Sequence, residues 1–156
     1  MSKWVIKLGG AVLNIENAAQ ALFAVFAKHP DDQFIVVHGG GALVDTWLQQ
    51  AGFASAKHLG LRISPREQMP YIVGALAGCA NKQLMGQALA VNLTPVGLSL
   101  FEAGVTSTQK LKALGQVGSC EAGSFNLLPT LLEKNVLPIV SSSGFDLEGN
   151  WYNVNA

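Results

Sequence analysis

The stretch Phe34-Ile35-Val36-Val37-His38-Gly39-Gly40-Gly41 joins a run of strand-forming apolar residues directly to three consecutive glycines. Apolar residues then recur at helical spacing, at positions 43, 44, 47, 48 and 51. The pattern predicts a buried strand, a turn without side chains, and a helix that stops at Gly52. The first N–H groups of such a helix are unpaired and lie at the positive end of its dipole, and the glycines let an anion approach them closely.

The start of the chain repeats this arrangement. Trp4-Val5-Ile6-Lys7-Leu8 is a short apolar segment that Gly9-Gly10 ends, and here a lysine stands next to the glycines. Two glycine-bearing strand ends, one of which carries a cation, indicate a site for a negatively charged ligand.

Several further elements follow from local patterns. Strands are predicted at residues 94–100, 136–140 and 151–154, and a hairpin at 54–63. A helical face runs from Ile15 to Phe26 with Asn14 as its N-cap, and Ser64-Pro65-Arg66-Glu67 fits a capping box that starts a long helix.

This alternation of strands and helices predicts an α/β fold, a three-layer αβα sandwich with a mostly parallel open sheet and additional β-hairpins. Ligands of such sheets gather at the carboxyl ends of the strands. The loops at Gly9, Gly39 and Ser141 all lie at ends of this kind.

Composition indicates one globular domain. Of the 156 residues, 49% are hydrophobic and 13% charged, and ten Lys and Arg balance ten Asp and Glu, which argues against a nucleic-acid surface. The mean hydropathy of +0.31 indicates a subunit interface or a missing partner domain. No apolar run is long enough for a membrane span. Cys79 and Cys120 fit reduced thiols. We therefore expect a soluble, cytoplasmic protein.

The sequence lacks the common nucleotide-binding and metal-binding motifs. Neither a Walker A pattern nor the G-x-G-x-x-G fingerprint occurs, and no zinc-ligand cluster is present, so no metal ligand is assigned. Phosphoryl transfer needs in-line positioning and positive charge on the transferring oxygens. Lys7 and the N–H groups of two glycine turns could supply both.

Five short motifs occur in the order seen in the amino acid kinase family, which the chain resembles over essentially all 156 residues. They are Ile6-Lys7-Leu8-Gly9-Gly10, Val37-His38-Gly39-Gly40-Gly41, Gly60-Leu61-Arg62, Gly74-Ala75-Leu76-Ala77-Gly78 with Asn81-Lys82, and Asn153-Val154-Asn155-Ala156. Within this family, the chain is most similar to the enzymes that act on N-acetyl-L-glutamate in arginine biosynthesis.

The resemblance implies a catalytic role for Lys7, which stabilises the transferring phosphoryl group. It implies that Gly9 and Gly10 bind that phosphoryl group through backbone N–H groups. The implied reaction transfers the ATP γ-phosphoryl group, with Mg²⁺, to the side-chain carboxylate of N-acetyl-L-glutamate and gives an acyl phosphate.

The resemblance also implies the substrate-binding residues. Gly40 and Gly41 hold the substrate near its reacting carboxylate, and Asn153 hydrogen-bonds its acetylamino group. Arg62 binds the α-carboxylate, for which a planar guanidinium is better suited than a lysine. The family also implies a homodimer.

The family motif continues, beyond the position of Ala156, with an aspartate, a second lysine and a nucleotide-binding half. Residues 1–156 therefore resemble the N-terminal, substrate-binding lobe of an amino acid kinase as a single domain. We expect this chain alone to have little or no kinase activity.

Two alternative functions remain open. One is an amino-acid-binding module or sensor without catalysis, and the other is a kinase for a related acylamino dicarboxylate such as an aminoadipate derivative. A difference of one methylene in the pocket changes the binding free energy by only about 1–3 kcal/mol, so the sequence discriminates poorly between such substrates.

Four polar residues near the motifs are interpreted as structural. His38 is expected to hold the strand end by hydrogen bonds, and Asp45 to favour the dipole at the start of its helix. Asn81 and Lys82 are interpreted as helix-face residues outside the site.

Overall fold

A computed structural model of the chain describes residues 2–110 and 112–156. The strands are β1 Lys3–Leu8, β2 Gln33–His38, β3 Lys57–His58, β4 Leu61–Arg62, β5 Pro95–Leu98, β6 Val105–Gln109, β7 Val117–Ala122, β8 Leu137–Ser141, β9 Ser143–Phe145 and β10 Trp151–Val154. The α-helices are α1 Ala18–Phe26, α2 Gly41–Gln50, α3 Met69–Val73, α4 Asn81–Leu89 and α5 Leu128–Glu133. Single 3₁₀ turns cover Val12–Asn14, Arg66–Gln68 and Lys112–Leu114, and Gly74–Ala80 forms a π-helical turn.

The central sheet has the strand order β1-β2-β8-β5, and all of its pairings are parallel. Lys7 lies beside Val37, and His38 lies between Leu8 and Ser141, so three strand ends meet at one edge. This confirms the predicted α/β class with a mainly parallel sheet. It also brings the two glycine turns to the same edge of the sheet.

The two faces of the sheet are covered differently. Val36 and Ile139 face α1 and α4, where Phe23 and Leu84 are fully buried. On the opposite face, Val140 packs with residues of a second, mixed sheet of order β6-β7-β10-β9. Of this second sheet, local patterns predict the strand at 151–154, which is β10, but not its pairing, because the other strands lie in glycine-rich and polar segments.

β8 is an inner strand although it contains a proline. The Leu137 N–H donates to the Thr94 carbonyl oxygen on the β5 side, at 2.8 Å. Successive N–H groups of a strand point to opposite sides, so the missing N–H of Pro138 belongs to the β2 side. The pairing with β2 begins only at Ile139, and the proline therefore interrupts no ladder bond there.

The predicted start of the first helix is wrong. Asn14 ends a 3₁₀ turn, and α1 begins only at Ala18. The residue before it, Asn17, has a left-handed backbone (φ 59°), which asparagine tolerates better than most residues, and it makes no side-chain cap. Ile15, which the helical pattern predicts on the buried face, is 61% exposed.

The predicted capping box at Ser64 is also wrong. The Ser64 hydroxyl donates to the carbonyl oxygen of Arg62, and Ser64 is completely buried. The chain continues from Pro65 as a 3₁₀ turn without a side-chain cap. The long helix expected here is present and runs without a break from Met69 to Leu89, as α3, the π-helical turn and α4.

Asn81 at the start of α4 connects the helix to the sheet. It is 1% exposed, and its Nδ2 donates to the Ile139 carbonyl oxygen at 2.8 Å and contacts the His38 Nε2 at 3.1 Å. Its interpretation as a helix-face residue is therefore wrong, whereas the neighbouring Lys82 is exposed as expected.

We predict that Asn81→Ala lowers the free energy of unfolding by about 1–3 kcal/mol, because it removes two buried hydrogen bonds and leaves the buried His38 Nε2 without this donor. Urea unfolding followed by circular dichroism measures this change. The adjacent exposed variant Lys82→Ala is the control and should stay within about 0.5 kcal/mol of the wild type. Equal stabilities of the two variants would contradict the proposed connection.

Candidate functional site

A cavity of about 230 Å³ opens at the carboxyl-terminal edge of the central sheet. Its walls come from the ends of β1 and β2, the hairpin β3–β4, the loop after β8 and the last residues of the chain. Ligands of parallel sheets bind at this edge, since the connecting loops there carry side chains that the packed strands cannot offer.

The two glycine turns touch one another at this cavity. A Cβ atom built on Gly10 would lie 3.2 Å from the backbone nitrogen of Gly41 and 3.7 Å from the Cα of Gly40. A Cβ on Gly40 would lie 3.0 Å from the Leu76 Cδ2. A side chain at Gly10 would crowd the backbone of Gly41, and one at Gly40 would crowd Leu76, whereas Gly9 has no neighbouring atom within 4 Å of the built Cβ. As a result, the N-terminus of α2 borders the cavity with its N–H groups and its positive dipole end.

Lys7 is the cation beside these turns. It is the penultimate residue of β1, its side chain is exposed, and it lines the same cavity as Gly39, Gly40 and Gly41. The alternation of side chains along β1 directs Leu8 into the core, so Lys7 faces away from α1 and α4.

Arg62 reaches the cavity from β4 and is 8% exposed. Its Nη1 donates to the Asp45 carboxylate and to the Ser55 hydroxyl, and its Nη2 donates to the Gly41 carbonyl oxygen at 3.0 Å. A guanidinium has five N–H donors. Three of these donors are bound to protein acceptors, namely both Nη1 hydrogens and one Nη2 hydrogen. The Nε hydrogen and the second Nη2 hydrogen therefore remain for a ligand.

Asn153 is placed by β10, which lies between β7 and β9. Its backbone N–H donates to the Gln116 carbonyl oxygen at 2.9 Å, and its side-chain Nδ2 donates to the Ser64 hydroxyl at 3.1 Å. The first bond holds the strand in place, and the second holds the side-chain amide at the wall of the cavity.

All the site residues predicted from the sequence line this single cavity. They are Lys7, Gly9, Gly10, Gly40, Gly41, Arg62 and Asn153. Their shared location is a property of the fold, whereas the role of each residue remains a prediction.

Sequence reasoning missed Lys57 and Ser142, which also line the cavity, and it misinterpreted Asp45. Asp45 lies beyond the first turn of α2, too far from the helix start for a dipole role, and it binds Arg62 instead. One signal was available, because Asp45 follows Gly41 by four residues and so shares its helix face. Nothing local indicated Lys57.

The Asp45 carboxylate has a strongly lowered pKa, at about 2. The hydrogen bond from Arg62 is the largest cause, it is opposed by partial burial, and the Ser55 hydroxyl and the charges of Arg62 and Lys57 add to it. Asp45 is therefore ionised at every pH at which the protein would be used.

The cavity wall is cationic. Lys7, Lys57 and Arg62 line it, and no acidic side chain does so among the described residues. Within residues 2–110 and 112–156, no group of three or more His, Cys, Asp or Glu side chains could hold a metal ion. No helix in these ranges is long and apolar enough to cross a membrane.

His38 holds the end of β2 by hydrogen bonds, as predicted. It is fully buried, and its Nδ1 lies 2.8 Å from the Gly39 carbonyl oxygen while its Nε2 contacts Asn81. Burial lowers the pKa of His38 below its usual value, although the Gly39 hydrogen bond opposes this shift. The neutral ring, with Nδ1 as donor and Nε2 as acceptor, satisfies both contacts.

The fold is an α/β domain with a cationic cavity at its glycine turns, and comparison with known sequences shows the family to which it belongs. A model of the amino acid kinase family matches residues 2–156, so the chain belongs to that family. It is 46% identical to the acetylglutamate kinase of Aeromonas hydrophila subsp. hydrophila and 47% identical to that of Moritella profunda, over 97% of this chain in each case. The chain spans about 60% of the length of these curated relatives.

Solved structures share the fold at lower identity. A Streptococcus mutans UA159 protein superposes with a TM-score of 0.85 at 23% identity, over 99% of this chain and 64% of that one. N-acetylglutamate synthase from Neisseria gonorrhoeae, complexed with coenzyme A and N-acetyl-glutamate, superposes with a TM-score of 0.76 at 14% identity. The superposition covers 99% of this chain and 36% of the synthase chain.

We predict that the free energy of unfolding decreases as the pH falls below about 6.5, by up to about 1.4 kcal/mol per pH unit. The folded state keeps His38 neutral, whereas the unfolded chain takes up a proton in this range, so acid favours unfolding. Urea unfolding at several pH values between 5.5 and 7.5 gives the slope of the free energy of unfolding against pH. His38→Gln should flatten it, and the exposed control His58→Gln should not. The same slope in His38→Gln and the wild type would contradict the assignment.

Proposed function

We propose that this chain is the N-acetyl-L-glutamate-binding part of an acetylglutamate kinase, which transfers the ATP γ-phosphoryl group to the side-chain carboxylate of that substrate in arginine biosynthesis. One observation carries the proposal. Among the described residues, one cavity at the ligand-binding edge of the sheet is lined by three cations, both glycine turns and Asn153, and by no acidic side chain. The similarity to acetylglutamate kinases over 97% of the chain supports this substrate class.

The substrate would lie between the hairpin and the two glycine turns. Arg62 offers its Nε and its remaining Nη2 hydrogen to the α-carboxylate, since its other donors are bound to protein. Asn153 offers its amide, fixed on Ser64, to the acetylamino group. Gly40 and Gly41 receive the side-chain carboxylate at the N-terminus of α2, where unpaired N–H groups favour an anion.

The transfer itself needs positioning and positive charge rather than a covalent intermediate. An oxygen of the side-chain carboxylate attacks the γ-phosphorus of ATP. The bond from that phosphorus to the bridging oxygen breaks, and ADP leaves with this oxygen. Lys7 and the N–H groups of Gly9 and Gly10 stabilise the negative charge on the oxygens of the transferring group.

ATP is the co-substrate implied by the kinase relatives, and we propose that Mg²⁺ arrives with it. The described residues do not fit a protein-held magnesium ion, because no carboxylate lines the cavity. Magnesium commonly binds the phosphates of a nucleotide and keeps several waters, with few protein ligands.

The chain covers about 60% of the length of its relatives, so the activity of the whole enzyme is part of the proposal. A homodimer and a cytoplasmic location belong to the same proposal. Exposed apolar residues such as Trp4 and Val5, at 51% and 70% exposure, are compatible with burial in an assembly.

We predict that calorimetric titration of the 156-residue chain shows tighter binding of N-acetyl-L-glutamate than of L-glutamate or L-aspartate. Asn153→Ala should weaken binding of N-acetyl-L-glutamate about tenfold, the equivalent of one lost hydrogen bond, and leave binding of L-glutamate unchanged. The exposed amide variant Gln83→Ala is the matched control and should bind like the wild type.

The same titration separates the alternatives. Equal affinity for the acetylated and the free amino acid would contradict the assigned substrate, and no binding of any of them would contradict the site. Tighter binding of an N-acetylated aminoadipate would favour the kinase for a related substrate. A sensor would bind N-acetyl-L-glutamate but show no ADP release with ATP and Mg²⁺ even in a protein of the relatives' full length.

A further inference from the structure

The hairpin β3–β4 carries two cations on directly opposite positions. Lys57 and Arg62 are cross-strand partners in a pairing of two residues on each side. Like charges opposite one another destabilise a pair of strands, and a hairpin this short has little stability of its own. Something outside the hairpin must therefore compensate these charges.

Asp45 of α2 contacts both cations. Its Oδ1 accepts from the Arg62 Nη1, and its Oδ2 lies 3.6 Å from the Lys57 Nζ. The Ser55 hydroxyl, just before the hairpin, donates to the same Oδ1 at 2.6 Å. Both ion pairs found among the described residues involve this one carboxylate.

The contacts to Arg62 also fix its orientation. Its Nη1 is bound to Asp45 and its Nη2 to the Gly41 carbonyl oxygen, and both acceptors belong to α2. Two bonds to one rigid helix determine the plane of the guanidinium. Arg62 lines the cavity although it is itself buried, so these bonds set the orientation in which its unbound Nε and Nη2 hydrogens are offered to a ligand.

We propose that Asp45 is a positioning residue, which holds the hairpin on α2 and orients Arg62 towards the α-carboxylate of the substrate. The part of this inference that concerns the substrate rests on the proposed function. Asp45 does not line the cavity. It acts through Arg62. The negative charge of Asp45 by itself opposes the binding of an anion, so a loss of affinity on removal of this charge reports the orientation of Arg62 and not the net charge of the site.

The first experiment tests the hairpin without any ligand. Trypsin cleaves after Lys57 and Arg62, and mass spectrometry distinguishes the two products. Asp45→Asn keeps the shape of the side chain and removes its charge, and we expect it to accelerate cleavage after Arg62 about fivefold through more frequent local opening. Asp31 is an exposed carboxylate outside the hairpin, and trypsin should cleave the Asp31→Asn variant at the same rate as the wild type. Lys57→Met should leave cleavage after Arg62 within about twofold, because the pair of Arg62 with Asp45 persists.

The second experiment tests the orientation of Arg62 with two ligands. N-acetyl-L-glutamate carries the α-carboxylate, whereas 4-acetamidobutanoate is the same molecule without it. Asp45→Asn should weaken calorimetric binding of N-acetyl-L-glutamate about tenfold and leave binding of 4-acetamidobutanoate unchanged. Asp45→Glu, which retains the charge, should restore at least part of the lost affinity. A general loss of structure would weaken the binding of both ligands to the same extent.

The outcomes are distinct. Unchanged cleavage after Arg62 in Asp45→Asn overturns the proposal, as does an equal loss of affinity for both ligands. If the wild-type chain binds no N-acetyl-L-glutamate, the proposed function fails, and the cleavage rates alone then decide whether Asp45 holds the hairpin.

Discussion

The close contact between two turns without side chains is the constraint on which the site depends. Gly10 approaches the backbone of Gly41 so closely that a Cβ atom at position 10 would lie 3.2 Å from its nitrogen. This contact is possible because β1 and β2 are adjacent and parallel, which ends both strands at one edge. It fixes the N-terminus of α2 next to Lys7. The same helix then positions Arg62, whose guanidinium binds the carbonyl of Gly41.

Local sequence patterns were sufficient to predict the parallel sheet and the two glycine turns at its ligand-binding edge. A short apolar run that ends in glycines is typical of a buried strand followed by a tight turn. The helical spacing of apolar residues after Gly41 then distinguishes a strand–turn–helix from a hairpin. The same reasoning places Lys7 beside the turns. For Arg62 and Asn153 the residues alone gave no signal, and only the resemblance to a family indicated them.

The features that were missed depend on residues far apart in the sequence. Asp45 binds an arginine 17 positions away, Asn81 a carbonyl 58 positions away, and Ser64 an amide 89 positions away. Ser64 illustrates the cause, because its hydroxyl fits a capping box locally but is used by β10 in the folded chain. The mixed sheet has the same origin, since β10 pairs in parallel with the distant β7. Short-range propensity contains no information on such pairings.

The π-helical turn at Gly74–Ala80 allows one continuous rod to serve two separate cores. Before it, Met69 and Ile72 pack with α2 on the cavity side, and after it, Leu84 and Ala88 pack against the sheet with α1. In a regular helix each residue turns the apolar stripe by about 100°, and the wider turn shifts the register between the two halves. The turn therefore gives the two halves of the helix separate apolar faces, one packed on α2 and one packed on the sheet, so that each half contributes to a core of its own.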